Sequence, residues 1–511
     1  MVTRTLPSRI GRLALAVALF AGVVASGVWE VARADEEDRP APRARVRSRT
    51  ESLTLVDIVD SNKWRSDTFV VSPDGTRMAY AVLDGQGREH MVVDGKAGPT
   101  YAGLARRPVF SADSRRVAYL ARNTQDLWFA VVDGVERPDK HPSVKGHPGV
   151  FPNLLFSLDG RRLAYVVSVD TGGTAKQFVV VDRQEGAKYD EIAGLAISPN
   201  GERLAYAART GDKWAVVVDG REGPRHEGVL GATPVFSPDG RHVAYAGREG
   251  RRFFVVVDGK RGRDYDDLGG AVFFSPDSTR VVYSPSVGRR RAVVVNDEEL
   301  GLYERVDDYS FVFSSDGRHL AYKAGDANTW FIVVDGKRGR AYAGVGRPVF
   351  TPDGRKVAHS ACDRCGGAGG DRGMYVVVDG QRIGAEYADI ADPILFSGDG
   401  RRMAFAARRG PAQFVVVDER EDHSYAGVMA ETLAFSPMGR DLVYAATKDV
   451  NKRVVTVSGV EGRTFDAVGL RGLDCRLPQR CGVIFDAEGA FRYLGWLGDR
   501  VYLVRNWAVD R

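Results

Sequence analysis

A short turn phrase recurs along this chain at nearly constant spacing, and that regularity limits the fold more than any other feature. Its fullest form is Phe236-Ser237-Pro238-Asp239-Gly240, where proline presets φ for a turn and glycine supplies the positive-φ position. His242-Val243-Ala244-Tyr245-Ala246 then runs back as a strand. Phe253-Phe254-Val255-Val256-Val257 is an aromatic and β-branched run, and Asp258-Gly259 after it signals a second hairpin. Tyr265 and Leu268 are predicted on a fourth, weaker strand before the phrase returns.

The position of Phe236 is filled in turn by Val71, Phe110, Phe156, Ile197, Phe236, Phe274, Phe313, Phe350, Phe396, Phe435 and Phe485, with spacings between 37 and 50 residues. Nine residues after each of the first ten stands a column of Tyr80, Tyr119, Tyr165, Tyr206, Tyr245, Tyr283, Tyr322, His359, Phe405 and Tyr444. Four strands in a unit of about 40 residues, repeated eleven times, predict an all-β chain folded as a β-propeller. The third strand of each unit is apolar throughout, as expected when neighbouring units cover both of its faces. A sheet with one wet face would alternate apolar and polar residues.

Eleven units exceed the four to eight blades usual in one ring. Two consecutive rings are therefore expected ahead of a single large one, although no composition shift marks a boundary between them. The apolar run Leu53-Thr54-Leu55-Val56-Asp57-Ile58-Val59 precedes the first turn phrase, and the unit after Phe485 has three strands but no fourth. The N-terminal run is predicted to complete that last unit and remove an exposed sheet edge.

Residues 1–34 read as an export signal. Arg4, Arg9 and Arg12 precede an apolar stretch that ends at Ala32-Arg33-Ala34, a small-residue cleavage pattern. An uncleaved anchor is the competing reading, and either would carry the repeats across a membrane. Residues 35–50 are charged, contain proline and lack apolar periodicity, so they are expected to form a disordered linker. Residues 51–511 hold the repeats. The formal charge of +5 falls to +2 without the first 34 residues. Such an interspersed, balanced surface offers no electrostatic footprint for nucleic acid.

The phrase Phe-Ser-Pro-Asp-Gly-x-x-x-Ala-Tyr, whole at Phe236 to Tyr245 and nearly whole at Phe350 to His359, resembles the WD40-like propeller repeats of the TolB type. The resemblance spans residues 53–507. It implies an exported propeller that binds other proteins or peptides. The chain contains no Trp-Asp dipeptide, so it does not resemble true WD repeats. Too few residues separate the signal from the first repeat to hold TolB's additional N-terminal domain. Related propellers precede peptidase domains, but no Gly-x-Ser-x-Gly elbow occurs here.

The four cysteines form two local pairs, Cys362 with Cys365 and Cys475 with Cys481. In an exported chain they are expected as disulfides, with a zinc site or free thiols as alternatives. The eight histidines are scattered without H-x-x-x-H spacing and are read as structural or solvated. The aspartates of the turns are read as turn residues, not as calcium ligands, because Asp-Gly hairpins need no metal. Trp128, Trp214 and Trp330 recur at the start of the third strand and are read as packing residues. No cofactor or metal is expected.

The repeat is broken by insertions at 136–149, 361–372 and 466–482, and function tends to sit on such loops above a rigid scaffold. His141, Lys145, His147, Asp363, Arg364, Arg372, Arg471 and Arg476 are therefore the binding-loop candidates. No catalytic residue is assigned. The expected function is that of an exported, non-enzymatic scaffold for a protein or peptide partner in the periplasm, cell envelope or exterior. The alternative is a propeller hydrolase or lyase whose site is assembled from several blades.

Overall fold

The turn phrases reverse the chain as their chemistry dictates, and the result is a succession of small antiparallel sheets. The computed structural model describes residues 49–57, 64–105, 107–142, 154–170, 175–231, 233–365, 373–450, 452–468, 484–485, 491–497 and 500–507. Among these there are eleven separate sheets and no helix. We number the sheets 1 to 11 in the order of their turn phrases. Sheet 5 shows the plan: Val235–Phe236, Val243–Glu249, Arg252–Val257 and Lys260–Arg261 lie side by side in chain order.

Each turn is held by its own side chains. In the first, the Ser237 hydroxyl donates to Asp239 Oδ1 at 2.5 Å and accepts from the His242 amide at 2.9 Å, while the Arg241 amide donates to the same carboxylate at 3.0 Å. In the second, Asp258 and Gly259 have φ of 49° and 78°, the consecutive positive values of a type I′ hairpin. Asp258 Oδ1 accepts from the Val243 amide at 2.9 Å, and Oδ2 lies 2.6 Å from His242 Nδ1. Arginine takes the histidine's place in other sheets, as in Arg77–Asp94 and Arg203–Asp219, both at 2.9 Å. The turn aspartates are thus engaged by backbone amides and neighbouring cations.

Alternate residues of the second strand face opposite neighbours. Ala118 and Leu120 belong to a core shared with sheet 3, and Tyr119 and Ala121 to one shared with sheet 1. Cores of this kind join every consecutive pair of sheets from 1 to 11. Each fully buried Val, Leu or Phe contributes roughly 1.5–3 kcal/mol. The column tyrosine sits at these boundaries, edge-on to an aromatic residue on the fourth strand of the preceding sheet. Ring centroids are 6.4 Å apart for Tyr101–Tyr119 and 6.0 Å for both Tyr265–Tyr283 and Tyr303–Tyr322. The column continues to Tyr493, eight residues after Phe485 instead of nine, which fixed-spacing counting misses.

The N-terminal strand Arg49–Asp57 pairs antiparallel with Arg500–Trp507 and is the outermost strand of sheet 11. It begins at Arg49, inside the segment expected to be linker, because its partner strand runs on to Trp507 and offers backbone pairing beyond the apolar residues. Arg492 Nη1 of sheet 11 donates to the Asp74 carbonyl of sheet 1 at 3.3 Å. Leu268 departs from expectation: it lies on the first strand of sheet 6, Asp267–Phe274, while Tyr265 alone bridges back to Phe253. In sheets 1, 4, 6, 9 and 10 the first strand is longer than the turn phrase suggests and is bulged. In sheet 6 the pairing jumps from Gly269↔Ser284 to Phe273↔Val282. The export-signal region, residues 1–34, lies outside the described residues, and among those described no helix is long and apolar enough to cross a membrane.

Candidate functional site

The bulge of a first strand leaves an amide of the second strand without its ladder partner. A buried hydroxyl supplies the missing acceptor in several sheets: Thr68 for the Ala81 amide, Ser310 for Lys323 and Thr432 for Ala445, at 2.8–2.9 Å. The residue whose amide is capped stands ten positions after the turn phenylalanine. The same sequence position holds Ala81, Leu120, Val166, Ala207, Ala246, Ala406 or Ala445 in most sheets, whether or not its amide is capped, but Ser284, Lys323 and Ser360 in sheets 6, 7 and 8. Three consecutive polar residues at an otherwise apolar position mark one sector of the first-strand edge.

Further polar residues gather there. In sheet 7 the first strand is split into Arg305–Val306 and Val312–Phe313, and the interruption carries Asp307, Asp308 and Tyr309. Lys323 Nζ lies 3.9 Å from Asp307 Oδ2 and 4.6 Å from the Trp330 ring. Arg291 of sheet 6 binds both oxygens of Asp308 at 2.7 Å, with each side chain less than a fifth exposed. The Tyr309 ring is 69% exposed, the only aromatic among the large exposed apolar residues described.

The sector extends into sheets 8 and 9. The Arg347 amide donates to Asp392 Oδ2 at 3.1 Å. Burial pushes the Asp392 carboxyl above its usual range; Arg347 and Lys323 oppose the shift, and Asp307 adds to it. The Ser360 hydroxyl is buried without a partner among the described residues. A side chain at position 346 would collide with both Ser360 and Asp392, so Gly346 keeps this corner open. Besides the Arg291–Asp308 pair, the arrangement offers two carboxylates (Asp307, Asp392), two cations (Lys323, Arg347), the Ser360 hydroxyl and an exposed phenol.

The candidates drawn from sequence fall largely elsewhere. Cys362 and Cys365 are joined by a disulfide with a Cα–Cα distance of 5.8 Å, at the end of the second strand of sheet 8. Between them, Asp363 accepts from Arg340 at 2.9 Å and from the Tyr375 hydroxyl at 2.8 Å, which ties the inserted loop to sheet 7. Burial, followed by Asp363, pushes the Tyr375 phenol up to about 12. Arg364 is exposed on the same short segment.

His141, expected on a binding loop, is buried instead. It pairs with Trp128 and packs edge-on against Phe178 at 5.3 Å, the place that Tyr265 or Tyr342 takes in other sheets. His141–Pro142 pairs with Leu127 and Trp128 in sheet 2, so His141 still belongs to the repeat. Trp128 and Trp330 pack at the cores between sheets, as expected. Lys145, His147, Arg372, Arg471, Arg476, Cys475 and Cys481 lie outside the described residues. Among the described residues no group of three or more metal-ligating side chains is assembled. The polar sector was readable in the sequence as a break in the ten-residue offset, but only the bulged first strands show what that offset faces.

No family model matches the chain, and no curated protein matches it. Among solved structures it is similar to a eukaryotic initiation factor, at 12% identity over 68% of this chain and 95% of that one, with a TM-score of 0.37. It is also similar to TolB from Acinetobacter baumannii, at 14% identity over 63% and 85% of the two chains, with a TM-score of 0.25. A third likeness is to the β-propeller domain of the Trilobed protease from Pyrococcus furiosus, at 13% identity over 54% and 95%, with a TM-score of 0.26. At these scores the likenesses carry no argument about what the chain does, and the propeller rests on the chain's own sheets.

Proposed function

We propose that this chain is an exported, non-enzymatic propeller scaffold that binds a protein or peptide partner. In this reading its eleven sheets make one ring, closed by the N-terminal strand. The uninterrupted cores and the bond from Arg492 to Asp74 support a single ring. The observation that carries the binding function is the exposed Tyr309, whose amide donates to Asp307, a carboxylate that faces Lys323 and acts on Asp392. Tyrosine and arginine anchors with mixed-sign polar neighbours are the chemistry of polypeptide interfaces. The first-strand edge faces the axis in a propeller, so a partner segment would enter there. Crosslinking capture in a cell-envelope extract tests this reading. One saturable protein partner, captured by the wild type and lost with Tyr309→Ala, is expected. Equal capture by both proteins overturns the assignment of the site.

A second reading is favoured by one observation, the raised Asp392 carboxyl beside Asp307 and Lys323. A carboxyl with a raised pKa next to a second carboxylate is the kind of pair that general acid catalysis by a hydrolase or lyase uses. Turnover within a panel of glycans and peptides that disappears in Asp392→Asn would select this reading.

A further inference from the structure

The boundary between sheets 7 and 8 holds a cleft of about 450 Å³ at the end where the turn phrases lie. That volume is within the range of small-molecule sites. At this boundary the column residue is His359, which lines the cleft. At Gly98, Gly186 and Gly462 an added Cβ would come 3.6, 3.7 and 3.6 Å from a column tyrosine hydroxyl of the next sheet. At the corresponding Gly339 it would meet only the main chain of Ile332, and His359 stands in the column there; Gly223 likewise meets only Val216, where the Tyr245 hydroxyl bonds His226 instead. In sheet 9, where Phe405 also lacks the hydroxyl, Ile383 takes the glycine's place on the preceding strand.

His359 presents a defined group to this space. Its Nδ1 lies 3.1 Å from the Ser360 carbonyl oxygen. A carbonyl can only accept, so Nδ1 carries the proton and, in the neutral ring, Nε2 is an acceptor. Burial keeps the ring neutral, with its pKa pushed down to about 4 against the pull of that carbonyl. No described protein group bonds Nε2, and the side chain lines the cleft.

The other polar groups of the cleft divide into those already engaged and those not. Arg338 is held by Asp326 and Arg340 by Asp363, both at 2.9 Å, and His319 by Asp335 at 2.7 Å. Lys337 and Arg355 also line the cleft, and neither is ion-paired among the described residues. Asp379 lines it too. Its counterparts Asp335 and Asp258 accept from the amides of Leu320 and Val243, but Asp379 makes no such bond to Val357. The unengaged set is therefore two cations, one carboxylate and one imidazole acceptor.

We propose that this cleft binds a sugar phosphate, with the phosphate between Lys337 and Arg355 and sugar hydroxyls donated to His359 Nε2 and the Asp379 carboxylate. Cations match the phosphate, and the two acceptors match a polyol. Arg340 of the cleft reaches Asp363 beside the Cys362–Cys365 disulfide, and the site stands or falls independently of the partner site at Tyr309.

Isothermal titration of the purified chain at pH 7 tests the proposal. The probes are glucose 6-phosphate, mannose 6-phosphate, ribose 5-phosphate and N-acetylglucosamine 1-phosphate, with glucose and inorganic phosphate as controls. At least one sugar phosphate is expected to saturate with a Kd tenfold or more below both controls. Lys337→Ala with Arg355→Ala should weaken that binding at least tenfold. His359→Tyr restores the column residue of the other sheets, and is expected to abolish binding while melting no lower than the wild type. No saturable binding by any of the four, binding no tighter than inorganic phosphate, or unchanged binding by His359→Tyr would each overturn the proposal.

Discussion

Leu53 and Leu503 are register partners across one antiparallel strand pair, although they lie near opposite ends of the chain. The pairing continues on both sides, from Arg49↔Trp507 to Asp57↔Arg500. Val504 and Tyr502 on the C-terminal strand are buried in the core that sheet 11 shares with sheet 10. Deleting residues 49–57 removes the outer partner of that strand and exposes its backbone groups. A lower melting temperature and increased aggregation are expected, measured by calorimetry and light scattering. A truncated protein that melts like its parent would refute the stabilising role of this strand.

The Tyr303 and Tyr322 hydroxyls lie 3.0 Å apart at the buried boundary of sheets 6 and 7. Removing one leaves the other without its partner in a desolvated setting, at a cost of about 1–2 kcal/mol. Removing both should cost less than the sum of the single changes. Denaturant unfolding of Tyr303→Phe, Tyr322→Phe and the double variant measures this coupling.

His359 is buried, and its pKa is pushed down to about 4. The native state thus favours the neutral ring, while the unfolded chain takes up a proton near pH 6.5. The stabilising contribution is present above pH 6.5 and is lost as pH falls through about 4. The loss should be on the order of 3 kcal/mol. Chemical denaturation across this window should show a slope that His359→Tyr removes.

Asp159, Asp239, Asp316, Asp353 and Asp399 have carboxyls held below the usual range, first of all by a serine or threonine hydroxyl that donates to each. Their contribution is present above the ordinary carboxylate pKa and is lost as pH falls below it. Ser237→Ala removes both the donor to Asp239 and the acceptor for the His242 amide. A stability loss of about 1–2 kcal/mol at pH 7 is expected. The loss should shrink as pH falls below the ordinary carboxylate range, where the lowered Asp239 carboxyl takes up its proton.

Arg340 and Asp363 join sheet 7 to the disulfide-bearing loop of sheet 8, but their side chains are 64% and 51% exposed. Exposed pairs of this kind contribute about 0–1 kcal/mol. Arg340→Ala should therefore leave the melting temperature nearly unchanged, and a larger drop would show that the loop anchors the sheet boundary.

The sequence by itself determined the local plan. Pro238 and Gly240 reverse the chain, Asp258-Gly259 closes the next hairpin, and the apolar third strand requires cover on both faces. Each of these is set by neighbours within a few residues, so periodic reading recovers it. The tertiary structure decided what depends on contacts about forty residues apart or more. Leu268 passed to the following sheet because a bulged first strand extends backward to meet Pro285 and Ser284. His141 became a packing residue because the outer strand of sheet 2 still needs a ring against the next sheet. Lys323 and Ser360 are unremarkable in a linear scan. They acquire meaning only where bulged strands bring Asp307 and Asp392 to the same edge, since packing between sheets selects which side chains meet.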